Sequence, residues 1–215
     1  MPSAAMSPAG PEFLSWDEHT LPALQHRTRS VEADTVRLRG YDPELVPGQL
    51  QTREYATAVL RVCQNLSSRP VDENELAEAV AARMARQAEW RSGSGEAHFL
   101  LAEQALYTTV GAPAVMVAQL EALLETLTLP GSFEIGVIER TAQFVASTTN
   151  FLFYNATKAT VETLTGQVTI TDSQGLASYE AAFERMAAQA VTGGAAQDVI
   201  ATALGYHRWA ATCDE

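Results

Sequence analysis

The chain has 215 residues, of which 47% are hydrophobic and only 19% charged, a balance that supplies a buried core and excludes global disorder. A net charge of −12 makes its field repulsive to phosphate backbones, and the richest basic stretch, Arg27, Arg29, Arg37 and Arg39, is diluted by Glu32 and Asp34, so direct nucleic-acid binding is not expected. Two cysteines form neither a disulfide framework nor a zinc-ligand set, and no apolar run approaches the roughly 18 residues of a membrane span.

Residues 1 to about 30 carry Pro2, Pro8, Pro11 and Pro22 with little periodicity, and read as a flexible leader with a short ordered piece around Phe13, Leu14 and Trp16. No basic region precedes an apolar one here, so the expected location is cytoplasmic. An extended or helical segment from about Val31 to Tyr41 leads into Val46-Pro47-Gly48, a turn in which proline fixes φ and glycine relaxes it. Thr52 is placed to cap a helix running to about Gln64. Asp72-Glu73-Asn74-Glu75 has capping-box form and opens a second helix, whose Leu76, Val80 and Met84 recur every four residues until Ser92-Gly93-Ser94-Gly95 ends it.

From His98 the pattern changes. His98 to Leu101 reads as a buried strand, with His98 at a strand edge. Pro113 suits the first turn of a helix carrying Val117, Leu120, Leu124 and Leu127 on one face, which Pro130-Gly131 stops. Phe133, Ile135 and Val137 alternate like a strand, and Phe151–Tyr154, Thr160–Thr163 and Val168–Ile170 are further strands, the last two joined by a turn at Thr165-Gly166. Asp172 or Ser173 caps a helix with a stripe of Leu176, Tyr179, Phe183, Met186 and Ala190; Gly193-Gly194 ends it, and a last helix holds Val199, Ile200 and Leu204. The expectation is one α+β domain over residues 31–205, with a helical N-terminal half, a small mainly antiparallel sheet in the middle, two C-terminal helices packing on it, and a tail over 206–215.

The stretch Val46-Pro47-Gly48-Gln49-Leu50-Gln51-Thr52-Arg53-Glu54-Tyr55-Ala56 sits between Glu32-Ala33 and Arg83-Met84-Ala85-Arg86-Gln87. Together these closely resemble a domain of unknown function that follows an XRE-type helix-turn-helix in actinobacterial transcriptional regulators. Further blocks extend the resemblance from about Val31 to about Leu204: Leu101 to Leu106, Val110-Gly111, Val115-Met116, Gln119-Leu120, Phe133 to Val137, Phe151, Val161 to Thr163, Tyr179, Phe183 and Ala190. It implies a module that receives a signal, often from a small partner protein encoded nearby in an antitoxin-like arrangement, here without the DNA-reading unit. Gln49 departs from the family's usual leucine, Ala102 from a frequent aspartate, and Tyr107 and Thr108 from frequent arginines.

Each candidate has a plainer reading beside it. Arg83, Arg86 and Gln87 share one side of a helix and could hold a carboxylate or phosphate, or form a solvated face, the reading favoured for Arg86. Glu103 follows an apolar run; paired with Arg83 it is a strut, and unpaired it becomes a general acid or base. Tyr41, Gln49, Gln51 and Tyr55 gather around the turn as a small-molecule site, with packing the alternative for Tyr55. Tyr107 and Gln119 join the ligand-binding candidates, as does Glu162, which points opposite to Val161 and Thr163.

Cys63 reads as a small buried residue and Cys213 as an exposed thiol. His19, His26, His98 and His207 have no ligand spacing, and no phosphate loop, nucleophile elbow or paired-cysteine motif occurs, so neither metal nor cofactor is expected. Two readings of different class follow. One is a stand-alone signal-receiving module that binds a small metabolite or a small partner protein and does not touch DNA or membrane. The alternative is a cofactor-independent cyclase or isomerase acting on a secondary-metabolite intermediate, with Glu103, Tyr55 and Arg83 as catalytic candidates. A self-pairing scaffold, a homodimer, is the plainest possibility.

Overall fold

A computed structural model describes residues 11–213 except 68, 71, 130, 132, 147 and 148. Its centre is one seven-stranded mixed sheet, ordered β1-β7-β6-β5-β2-β3-β4. The strands are β1 Glu12–Ser15, β2 Arg37–Asp42, β3 Glu96–Ala102, β4 Phe133–Ile138, β5 Phe151–Tyr154, β6 Lys158–Glu162 and β7 Gly166–Ile170. β2, β3 and β4 run parallel; every other neighbouring pair is antiparallel. The helices are α1 Leu21–Ala33, α2 Arg53–Leu66, α3 Glu73–Ser92, α4 Pro113–Thr128, α5 Ser173–Ala187 and α6 Gly193–Cys213. The α+β class is as expected, and antiparallel pairings predominate.

The local start signals act as written. Thr52 Oγ1 accepts from the Tyr55 N–H at 3.3 Å, and Asp172 Oδ1 from that of Gly175 at 2.7 Å. Asp72 Oδ1 accepts from the N–H groups of Asn74 and Glu75, but Glu75 does not complete a capping box: its Oε1 accepts from the backbone N–H of Leu21 at 2.9 Å.

Three sequence expectations change. Residues 1–10 of the leader lie outside the described residues; its remainder forms β1, a short 3-10 turn and α1, because β1 has β7 to pair with and α1 has α3 to pack on. The tail is the end of α6, where His207 is fully buried with Nε2 2.9 Å from the Leu106 carbonyl. β3 is an interior strand, so His98 is not at an edge; it stacks edge-on against Phe183 at 5.1 Å.

Register fixes the two faces of the sheet. Leu38, Gly40 and Asp42 of β2 share one face with Phe99, Leu101, Ile135 and Val137, and over this parallel half lie α4 and α6 with Met116, Leu120, Leu123, Ile200 and Leu204. Gly40 lets the neighbouring side chains close in: a Cβ there would stand 2.7 Å from Leu152 Cδ2 and 3.0 Å from Phe99 Cδ1, so Leu152 would have to shift. The opposite face carries Leu100, Phe151 and Phe153 against α5, whose Phe183 and Met186 fill it. Arg39 reaches from that face to Glu180 and Glu184, at 3.0 and 2.8 Å, while its guanidinium lies over Phe153.

Candidate functional site

The first face continues onto the antiparallel half, where register aligns Leu14, Gln167, Glu162, Leu152, Gly40 and Asp42 across five strands. The layer above them is α1, α2, α3 and the 46–52 turn, and it does not close down. A cavity of about 510 Å³ remains, lined by sheet residues and by Leu24, Gln25, Leu60, Cys63 and Arg83 of the helices. That volume falls within the range of small-molecule sites.

Buried amides build the turn that walls one side. Gln87 Nε2 donates to the carbonyls of Gly48 and Gln51 at 2.6 and 2.9 Å. From α4, Gln119 Nε2 donates to the Leu50 carbonyl at 2.9 Å while its Oε1 accepts from the Thr52 N–H at 2.7 Å. Gln51 Nε2 closes the turn on the Val46 carbonyl at 2.7 Å. Tyr55 is fully buried and its hydroxyl accepts from the Val46 N–H at 3.1 Å, a packing role. Burial pushes that hydroxyl up to about 12, so it stays protonated.

Two arginines one turn apart on α3 have opposite fates. Arg86 is buried rather than solvated, with Nε 3.2 Å from Glu32 Oε2, and Gln49 Nε2 donates to the other Glu32 oxygen at 2.6 Å. Desolvation raises the Glu32 carboxyl above its usual value even against the pull of Arg86. Arg83 is held by neutral oxygens instead: Nε donates to Gln25 Oε1 at 3.2 Å and Nη1 to Gln51 Oε1 at 2.6 Å. No carboxylate lies in ion-pairing distance of it among the described residues. Desolvation, with repulsion from Arg86, brings it down to about 10. Gly48 leaves room for both groups, since a Cβ would come within 3.2 Å of Arg86 Nη2.

Facing them, Asp42 Oδ1 accepts from the N–H groups of Glu44 and Leu45 at 3.1 and 2.8 Å. Its carboxyl is pushed up to about 7 by burial, outweighing those two hydrogen bonds. Glu162 accepts from Asn150 Nδ2 at 3.1 Å. Burial also raises Tyr41 and the Cys63 thiol, and Cys63 lies on the cavity wall rather than within the core.

Of the sequence candidates, Gln49, Gln51, Arg83 and Glu162 therefore converge on the cavity, and Gln87, Gln119 and Tyr55 brace its turn, while Tyr41 borders the cavity but packs its ring on the opposite face of the sheet, 6.0 Å from Phe151. Glu103 and Tyr107 lie elsewhere. Glu103 pairs with Arg140 at 2.7 Å, not with Arg83, because parallel pairing of Ala102 with Ile138 brings the ends of β3 and β4 together. Tyr107 packs on Tyr206 at 5.7 Å and beneath Arg140. Asp42 escaped the sequence reading. Asp42-Pro43 looks like a turn initiator, and its carboxylate does serve that turn while also facing the cavity.

Fold and site together define a single-sheet α+β domain with an unfilled, charge-bearing cavity between half of the sheet and a helical layer. The chain belongs to the family of the domain of unknown function DUF5753, which matches residues 25–202. No curated protein and no solved structure matches it. Among the described residues no group of acidic, histidine or cysteine side chains is placed to hold a metal, and no helix is long and apolar enough to cross a membrane.

Proposed function

We propose that this domain is the signal-receiving half of an actinobacterial XRE-type regulatory system, binding a small ligand in the cavity and not contacting DNA itself. The observation that carries the reading is a cavity of about 510 Å³ in which Arg83, without an ion-pair partner among the described residues, is aimed by two amide oxygens. The net charge of −12 supports action through a ligand or partner rather than through phosphates.

Native mass spectrometry of protein purified from its own cells, set against the denatured mass, tests this. A small-molecule adduct that disappears in Leu24→Trp, which fills the cavity, is the expected result. A co-purifying polypeptide instead would move the signal to a partner protein. A bare chain that also binds duplex DNA tightly at physiological salt would overturn the proposal.

A second reading has its own observation, the Asp42 carboxyl at about 7. An acid poised there can both give and take a proton at neutral pH, as a cofactor-independent isomerase or cyclase requires. Asp42 replaces Glu103 and Tyr55 in that role, since neither of those lines the cavity. Conversion of the bound molecule on incubation, lost in Asp42→Asn, supports this reading; undiminished turnover in that variant removes it.

A further inference from the structure

We propose that the ligand is a carboxylate with an apolar body, its head seated on Arg83 and its body running toward a mouth edged by Leu66 and Leu164. The inference rests on reading the cavity as a ligand site and specifies what that site takes.

Most of the cationic groups around the cavity are already balanced. Four arginines line it, and three already have acids: Arg86 with Glu32, Arg69 with Glu75 at 3.3 Å, and Arg27 with Glu12 at 3.8 Å. Among the described residues, Arg83 alone of the four has no ion-pair partner, and it is oriented by the side-chain oxygens of Gln25 and Gln51. Those bonds occupy Nε and Nη1 and leave the Nη2 side of the planar fork to a visitor.

The opposing wall limits that visitor to one negative charge. Glu162 and Asp42 face the same space from the sheet, and a dianionic phosphate monoester would meet both. Burial holds Asp42 only part-ionised near neutrality, so one added anion is tolerated. An amine would be drawn to the acids but repelled by the aimed guanidinium.

Leucines supply an apolar part of the wall. Leu24, Leu60 and Leu152 line the interior, while Leu66 and Leu164 are 66% and 78% exposed where the cavity opens. Exposed leucines at the rim of a charged cavity suit a ligand whose tail emerges there.

Four probes differing only in head group test the inference: decanoate, decanol, decylamine and decyl phosphate, measured by calorimetry and thermal shift on the intact chain. Decanoate is expected to bind at least about ten-fold tighter than decanol, and Arg83→Gln to erase that margin. Arg83→Lys, which keeps the charge but not the fork, should retain part of it. Circular dichroism on each variant confirms that the fold persists.

Equal binding of decanol and decanoate, or a margin that survives Arg83→Gln, overturns the inference. So does tighter binding of decyl phosphate or decylamine, or failure of all four on the wild type. Decanoate binding undisturbed by Leu24→Trp places it outside the cavity and also overturns it. Decanol binding as well as decanoate, yet lost in Leu24→Trp, removes the carboxylate and leaves the cavity reading intact. The co-purified mass decides the cavity reading by itself.

Discussion

One sheet supports two differently built halves. Over the parallel strands β2, β3 and β4, helices α4 and α6 press Met116, Leu120, Leu123 and Ile200 onto Phe99, Leu101 and Val137, all fully buried. Over the antiparallel strands, α1 and α2 offer Leu24, Gln25 and Cys63, and about 510 Å³ stays open. The same pleated surface is thus a core in one place and a receptor wall in another. What differs is the size and polarity of the side chains that the covering helices bring. At the boundary, beside Tyr154, lies the buried Glu32–Arg86 pair.

The sharpest way to break this contrast is to disturb the boundary. Glu32→Ala leaves Arg86 buried without its anion and should cost about 3–5 kcal/mol in urea denaturation. Arg83→Met, one turn away, should change stability by only about 1 kcal/mol, because no acid is orphaned. Equal losses in the two variants would mean that Arg83 is structural after all.

Next in size is a matched truncation of the two halves. Leu120→Ala in the closed half should cost about 2–5 kcal/mol, whereas Leu24→Ala in the open half should cost under about 1 kcal/mol, since its methyls already border empty space.

Asp42→Asn gives a smaller, pH-dependent effect. The carboxyl is raised from 3.8 to about 7, so the unfolded chain ionises first as pH climbs between those values. The folded state therefore holds the extra proton, and stability falls through that window. The amide variant should be more stable than wild type by about 1–2 kcal/mol at pH 8, with almost no difference at pH 4. A gain of equal size at both pH values would trace to something other than ionisation. The smallest expected effect is Leu24→Phe, which should stabilise by about 0.5 kcal/mol through cavity filling while lowering ligand affinity.

Local signals made much of the fold legible. Thr52, Asp72, Pro113 and Asp172 mark helix starts because each acts on the backbone beside it, and β4 reads from the alternation of Phe133, Ile135 and Val137. α1 and β2 were not separable in this way. Leu-Pro-Ala-Leu-Gln-His-Arg-Thr-Arg-Ser-Val-Glu-Ala has little apolar periodicity, and its helix is fixed by partners on α3 such as Glu89, which binds Arg29. Arg37-Leu-Arg-Gly-Tyr-Asp looks too charged for a central strand until Glu180 and Glu184 arrive from α5, more than a hundred residues later, to neutralise Arg39. The site divides on the same line. Gln49, Gln51 and Tyr55 sit on or beside one turn and can be grouped from sequence, whereas the partner of Glu103 is Arg140, not Arg83, and only strand order could supply it.

The turn at residues 46–52 is clamped by Gln51, Gln87 and Gln119, and each of these side chains is a neutral amide. Amides do not titrate, so the clamp on this one turn is indifferent to acidity. Asp42, which would meet a ligand's charge, is raised to about 7 and so changes its ionisation near neutrality. A cell whose internal pH drifts would then change how strongly the domain is occupied without loosening the clamp on that turn.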